Sequence, residues 1–307
     1  MVIALGTFDG VHLGHQVVVR RAVGEARAQG LRAVAVTFDP HPRAILRPGS
    51  EPKLLSTLEV REAQLLGCGV DEVRVIRFDL ELSKKSPRDF VREVLVRELG
   101  AGVVVVGENF RFGYKAAGYF GDLERYMREE GGEAYAVPTY VLGEAVGPGE
   151  AINSTKIRAL LHQGEVREAA RLLGRPYSLR GVVVAGDKRG RALGFPTANV
   201  LPDALALVPG RGVYAGHVWV GEECYGACTN VGVAPTFERR ESRVEAHLLS
   251  YEGDLYGEVV DITFEMRLRP ERRFSGLGEL RVQIARDVAE ARRVVGVMAS
   301  GDDRLLD

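Results

Sequence analysis

Two histidines set three residues apart in a glycine-rich turn are the residues of this chain most suited to chemistry. They stand in Gly6-Thr7-Phe8-Asp9-Gly10-Val11-His12-Leu13-Gly14-His15. The apolar run Val2-Ile3-Ala4-Leu5 precedes the turn, and an amphipathic run to about Gln29 follows it. Strand, tight turn, helix is the expected order. The first N–H groups of a helix are unpaired and lie at its positive end, so this corner favours an anion. Glycines let a polyphosphate approach the backbone closely. Gly6, Thr7, Phe8, Asp9 and Gly14 are therefore candidate nucleotide contacts. His12 and His15 are close enough to face one ligand as phosphate donors. Incidental histidines in a turn are the plain alternative, and zinc lacks a third ligand at a fitting spacing.

A second element is Ile152-Asn153-Ser154-Thr155-Lys156-Ile157-Arg158. Ser154 or Thr155 can cap a helix and bind a phosphate oxygen, although Ser and Thr cap helices everywhere. Lys156 and Arg158 in a first turn oppose the helix dipole, which an anionic ligand would explain. A third is the basic loop from Gly186 to Asn199, with Gly186, Lys188, Gly190 and Arg191 ahead of Pro196-Thr197-Ala198-Asn199. It lacks P-loop spacing, yet its N–H groups with Lys188 or Arg191 can cradle phosphates. Thr197 and Asn199 offer hard oxygens two residues apart on one strand face, as Mg²⁺ prefers. A basic hairpin turn is the plain alternative. Glu245, in Val244-Glu245-Ala246-His247-Leu248, falls on the face opposite Val244, Ala246 and Leu248. It is either solvated surface or a general base. An alcohol attacking a γ-phosphate needs such a base. His247 shares its face and is the weaker candidate.

The elements that must hold these residues differ between the two halves. Ala33–Phe38 and Val103–Val106 are continuous apolar runs, as expected of strands buried on both sides of a parallel sheet. Val18, Val19, Ala22, Val23 and Ala26 form one helical stripe. Strands alternating with helices predict a doubly wound α/β sheet with ligands at the carboxyl ends of its strands. Two short helices, from about Ser154 to Gly164 and from Glu165 to Leu173, close this half. After Pro176 the period changes to two. Val260, Ile262, Phe264, Met266 and Leu268 alternate with Asp261, Thr263, Glu265, Arg267 and Arg269, which predicts one strand with one wet face. Gly181–Gly186, Val213–Gly221, Tyr225–Val233 and Arg243–Tyr251 read similarly, and together they predict a small antiparallel barrel. A last helix is expected after Ser275, burying Leu277, Leu280, Ile284, Val288, Ala291 and Val295. The expected domains are 1–175, 176–296 and a frayed tail over 297–307.

With 307 residues and 46% hydrophobic content, the chain can bury two cores. A net charge of -1 gives no electrostatic case for nucleic acid as a partner. No segment has the length and apolar purity of a membrane span, and no secretory signal is visible. The 3 cysteines, Cys68, Cys224 and Cys228, argue against a disulfide framework and for a reducing cytoplasm. No oligomeric state is read from the sequence.

The HxGH turn and the Ser154-Thr155-Lys156-Ile157-Arg158 element together resemble the nucleotidyltransferase superfamily. With the Pro196-Thr197-Ala198-Asn199 run added, the chain resembles bacterial bifunctional riboflavin kinase/FAD synthetases from about Val2 to Arg293. Further marks are Thr37-Phe38-Asp39-Pro40-His41-Pro42, Gly107-Glu108-Asn109-Phe110-Arg111-Phe112-Gly113 and Pro235-Thr236-Phe237. The resemblance implies a Rossmann-like N-terminal domain, followed by a flavokinase barrel with a terminal helix. The barrel would phosphorylate riboflavin to FMN with ATP and Mg²⁺, using Thr197 and Asn199 for metal and phosphates and Glu245 as base. The first domain would adenylylate FMN to FAD and release pyrophosphate. His12, His15, Ser154, Thr155 and Arg158 would bind the ATP phosphates, and Asn109 and its neighbours would line the flavin side.

Overall fold

A computed structural model describes residues 1–138, 152–186, 190, 193–233 and 242–299. The chain forms two compact units, Met1–Ser154 and Thr155–Asp307. The first contains β1 (Val2–Leu5), α1 (Leu13–Gln29), β2 (Ala33–Asp39), α2 (Leu58–Gly67), β3 (Glu72–Arg77), β4 (Val103–Gly107), α3 (Phe120–Glu129) and β5 (Glu133–Val137). The strands form one parallel sheet in the order β3-β2-β1-β4-β5. Every residue of β1 is buried, because helices cover both faces of the sheet. α1 covers one face with Val18, Val19, Ala22 and Ala26. Each such valine is worth about 1.5–3 kcal/mol relative to exposure. The wide-turned helix Phe90–Glu98 and α3 cover the other face. α1 ends at Gly30, whose φ of 64° suits glycine and returns its N–H to Ala26.

The second unit opens with α4 (Ser154–Gln163) and α5 (Val166–Leu173), the latter stopped by Gly174 at φ 76°. Next come β6 (Tyr177–Val184), β7 (Ala198–Pro202), β8 (Gly212–Val220), β9 (Glu223–Val233), β10 (Ser242–Leu248), β11 (Val259–Phe264), β12 (Met266–Arg269) and α6 (Leu277–Ala299). β11-β6-β7-β10-β9-β8 is an antiparallel ring that closes where β8 meets β11. β12 pairs further along β8. The α/β unit followed by a barrel and a terminal helix is the architecture that the two periodicities predict.

Two expectations are corrected. The alternating run Val260–Leu268 is not one strand with one apolar face. Its register against β8 slips between Ile262, opposite Val218, and Met266, opposite Ala215. The extra residue is a β-bulge, and it exchanges the faces. Phe264 points into the barrel against Tyr214, while Met266 and Leu268 lie outside under α6. Glu265, expected on the wet face, is only 8% exposed, and its Oε1 lies 2.5 Å from His217 Nδ1. The bulge also demands Gly216, because a Cβ there would meet the Thr263 carbonyl oxygen at 2.0 Å. The second correction concerns α6. Leu277 is 72% exposed, and the fully buried face gathers toward the other end, at Ala291, Val294 and Val295.

Candidate active sites

The glycine-rich turn leaves β1 and enters α1 at the crossover of the sheet, where strand order reverses between β1 and β4. Phe8 and Val11 take left-handed φ values of 48° and 36°, and Gly10 one of 81°. A β-branched residue in that region is strained, so neighbours must hold the turn. The buried Asp9 carboxylate accepts the Leu55 N–H at 2.9 Å and the Ser56 N–H at 3.2 Å. Ser56 Oγ accepts the Gly10 N–H at 3.1 Å. Ser154 Oγ donates to the Asp9 carbonyl at 3.1 Å. Asp9 thus spends its side chain on holding the turn. Phe8 is likewise buried in the core, with its ring under Gly6.

His12 caps α1: its Nδ1 accepts the His15 N–H at 3.2 Å. An accepting Nδ1 leaves the proton of a neutral imidazole on Nε2. The two imidazoles stack with centroids 3.5 Å apart, and Phe8 meets His15 edge-on at 5.3 Å. Gly6, Thr7, Phe8, His15 and Asn109 line one cavity of about 740 Å³. Phe38, Phe78, Phe90, Phe110 and Phe112 also line it and make its wall largely aromatic. Arg47, Arg111 and Lys115 bring charge to it. Arg111 stands in the Asn109 run expected to line the flavin side, whereas Arg47 and Lys115 carry no motif or periodicity to mark them.

In the barrel, Glu245 lies on β10 directly opposite Asn199 of β7 and Asn230 of β9. Val244, Ala246 and Leu248 point inward, as alternation requires. Arg243 Nη2 lies 3.0 Å from Glu245 Oε1 and donates to Asn199 Oδ1 at 2.9 Å. Arg243 was missed, although it stands two residues before Glu245 and so shares its face. His247 Nδ1 lies 2.7 Å from the Pro196 carbonyl oxygen.

Two barrel cavities meet at this place. One, of about 470 Å³, is lined by Gly186, Thr197, Asn199, Glu252 and Asp254. The other, of about 280 Å³, is lined by Thr197, Asn230, Glu245, Phe274 and Ile284. Gly186 lies against Asn199 so closely that a Cβ would meet its amide nitrogen at 2.1 Å. A Cβ on Gly190 would meet the Phe195 carbonyl oxygen at 2.4 Å and Thr197 Oγ1 at 3.1 Å. Lys188 and Arg191 lie outside the described residues, as does Pro235-Thr236-Phe237.

Two family models divide the chain. FAD synthetase matches residues 1–154, and riboflavin kinase matches residues 173–295. A curated relative from Listeria monocytogenes, named bifunctional riboflavin kinase/FMN adenylyltransferase, is 36% identical over 293 residues. The match covers 95% of this chain and 91% of that one. Relatives of the same name from Escherichia coli and Bacillus subtilis are 35% and 37% identical, covering 96% and 95% of this chain and 93% and 92% of theirs. The chain belongs to the bifunctional riboflavin kinase/FMN adenylyltransferase family. Its C-terminal half phosphorylates riboflavin to FMN with ATP, and its N-terminal half adenylylates FMN to FAD with release of pyrophosphate. A solved structure from Streptococcus pneumoniae, named a macrolide-efflux protein, superposes with a TM-score of 0.85 at 32% identity. That match covers 95% of this chain and 93% of that one. Among the described residues, no helix is long and apolar enough to cross a membrane.

For this family the geometry sorts the expected residues. Gly6, Thr7, Phe8, His15 and Asn109 share the first cavity, while His12, Asp9 and Ser154 stand behind or beside its turn. Gly14 is buried in the first turn of α1, and Thr155 and Arg158 continue α4. Gly186, Gly190, Thr197, Asn199 and Glu245 gather around the two barrel cavities.

Proposed function

We propose that the HxGH turn and the cavity it faces form the adenylylation site, and that Thr197, Asn199 and Glu245 form the kinase centre. In the first reaction an oxygen of the FMN phosphate attacks the ATP α-phosphorus, and the bond to pyrophosphate breaks. A phosphate monoester is already ionised near neutral pH, so no base is required. The work is alignment and neutralisation. His12, His15, Ser154, Thr155 and Arg158 take the triphosphate, and Asn109 with the phenylalanine wall takes the flavin. The cations at the rim support this reading.

In the second reaction the ribityl 5′-hydroxyl attacks the γ-phosphorus, and ADP leaves. Glu245 accepts the hydroxyl proton. The 470 Å³ cavity takes the nucleotide and the 280 Å³ cavity takes riboflavin. Gly186, Lys188, Gly190 and Arg191 belong to the phosphate loop. The donor set fits Mg²⁺ in kind, because Thr197 and Asn199 offer neutral hard oxygens on one face. Among the described residues, no group of three or more His, Cys, Asp or Glu is arranged to hold a metal. Held by these residues, the ion would neutralise charge on the ATP phosphates. The placement of Glu245 directly opposite Asn199 carries the kinase reading.

The reading divides the chain at about residue 175, supported by the matched segments 1–154 and 173–295 and by β6 beginning at Tyr177. The three free cysteines support a reducing cytoplasm as its compartment. The deciding experiment is chromatography of riboflavin incubated with ATP, with and without Mg²⁺. FMN followed by FAD is expected only with the ion. Turnover undiminished by a chelator removes Mg²⁺ from the proposal, and FAD formation undiminished in His15→Ala removes the turn.

A further inference from the structure

Arg61 is 1% exposed and has no place in the chemistry above. It lies in the first turns of α2, behind the glycine-rich turn. A buried guanidinium is unfavourable unless its donors are met. Its Nη1 donates to the Phe38 carbonyl at 3.1 Å, Thr37 Oγ1 at 3.2 Å and the Thr7 carbonyl at 3.3 Å. Thr37 Oγ1 donates to the same Thr7 carbonyl at 2.9 Å. Among the described residues, Nε and Nη2 of Arg61 are buried without a hydrogen-bond partner. Burial pushes its pKa below the ordinary guanidinium value, while the charges of Asp9 and Asp39 pull it upward.

One of those bonds ends on the turn itself, at the Thr7 carbonyl, and the other two tie Arg61 to Thr37 and Phe38 of β2. A trans peptide sets its N–H opposite its carbonyl. With the Thr7 carbonyl held from behind by two donors, the Phe8 N–H faces away from Arg61. Thr7 and Phe8 line the adenylylation cavity. Among the described residues, no hydrogen bond starts from the N–H of either. Phe8 keeps a φ of 48°, which phenylalanine rarely adopts without outside restraint.

We propose that Arg61 is a positioning residue for FMN adenylylation. Through the Thr7 carbonyl it fixes the turn so that the opposite N–H groups meet the ATP phosphates, with its buried charge behind them. This rests on reading the turn as the phosphate site.

The test uses Arg61→Met, Arg61→Lys and Thr37→Val in the full chain, assaying both reactions. Misplaced donors cost transition-state stabilisation, so Arg61→Met should lower kcat for FAD formation about 100-fold. Its KM for ATP should stay within about threefold, and its riboflavin kinase kcat should be unchanged. Arg61→Lys should recover about tenfold of the loss, since it restores the charge and one donor. Thr37→Val removes the second donor and keeps the charge, and should cost about tenfold in the same kcat. A kcat for Arg61→Met within about threefold of the parent overturns the proposal, as does a loss that Lys does not relieve. Should Arg61→Met fail to fold, an unchanged kcat in Thr37→Val overturns it instead. His15→Ala separates the two readings. FAD formation undiminished in His15→Ala defeats the phosphate site itself, whereas its loss there with full activity in Arg61→Met defeats only the role of Arg61.

Discussion

The cavity in the parallel-sheet unit is lined by Arg47, Arg111 and Lys115 and, among the described residues, by no carboxylate. The smaller barrel cavity brings Glu245, Glu271 and Asp287 together with Arg243, Arg269 and Arg272. Both units move phosphorus, so the contrast lies in the nucleophile. A phosphate monoester arrives ionised and needs only alignment and neutralisation. An alcohol arrives protonated and needs an acceptor for its proton. The backbones differ accordingly. The first site, as proposed, uses a strained turn and a helix N-terminus, whereas the second uses side chains in cross-strand register.

That contrast can be broken most sharply at Glu245. Glu245→Gln removes the proposed proton acceptor and should cut riboflavin phosphorylation about 10³-fold, with FAD formation from supplied FMN unchanged. Equal loss of both activities by chromatography would merge the two sites. Asp287 and Arg269 pair at 2.7 Å with side chains 7% and 18% exposed. Asp287→Ala leaves a buried cation unpaired and should destabilise the barrel by about 3 kcal/mol. Denaturant titration should then show the barrel transition moving and the FAD-forming unit holding. His15→Ala should lower FAD formation about 100-fold while FMN accumulates. Arg243→Ala frees Glu245 and Asn199 from their shared partner, and should lower the kinase kcat about tenfold and spare adenylylation.

The smallest effect separates the units by pH. Burial pushes the Cys228 thiol from 9.0 up to about 12. The folded barrel therefore keeps a proton that the unfolded chain releases. The stabilisation from this thiol is complete below about pH 9 and is lost as the pH rises toward 12. Melting curves across that window should fall less steeply for Cys228→Ala than for the parent. Identical slopes would reject the role of the thiol.

Much of this was legible in the residues. β1, α1, β2 and β4 follow from continuous apolar runs and one helical stripe, because both faces of the sheet are covered. Glu245 was legible because a strand has period two, and the same rule reaches Arg243 at the preceding position on its face. The bulge at Glu265 was not legible. Apolar and polar residues continue to alternate through it, and only pairing with β8 reveals the extra residue. Arg61 was hidden for another reason. An arginine among Glu59, Glu62 and Gln64 on a short helix reads as solvated surface, and its burial comes from the sheet ends packed over it. Leu277 misled in the opposite direction, because it keeps helical phase with the buried residues but lies at the exposed end of α6.

Thr197 belongs to both barrel cavities. On the proposed assignment of the two cavities, nucleotide and flavin would be neighbours across a single side chain. A synthetic ligand that joins an adenosine polyphosphate to the flavin through the ribityl oxygen would occupy both spaces as one body. It would lose translational and rotational freedom once where the separate substrates lose it twice, so its affinity should exceed that of either part. Among the described residues, no carboxylate lines the cavity of the sheet unit, so the same molecule would meet a different chemistry there. That difference makes Thr197 a handle for inhibiting one reaction of the chain without the other.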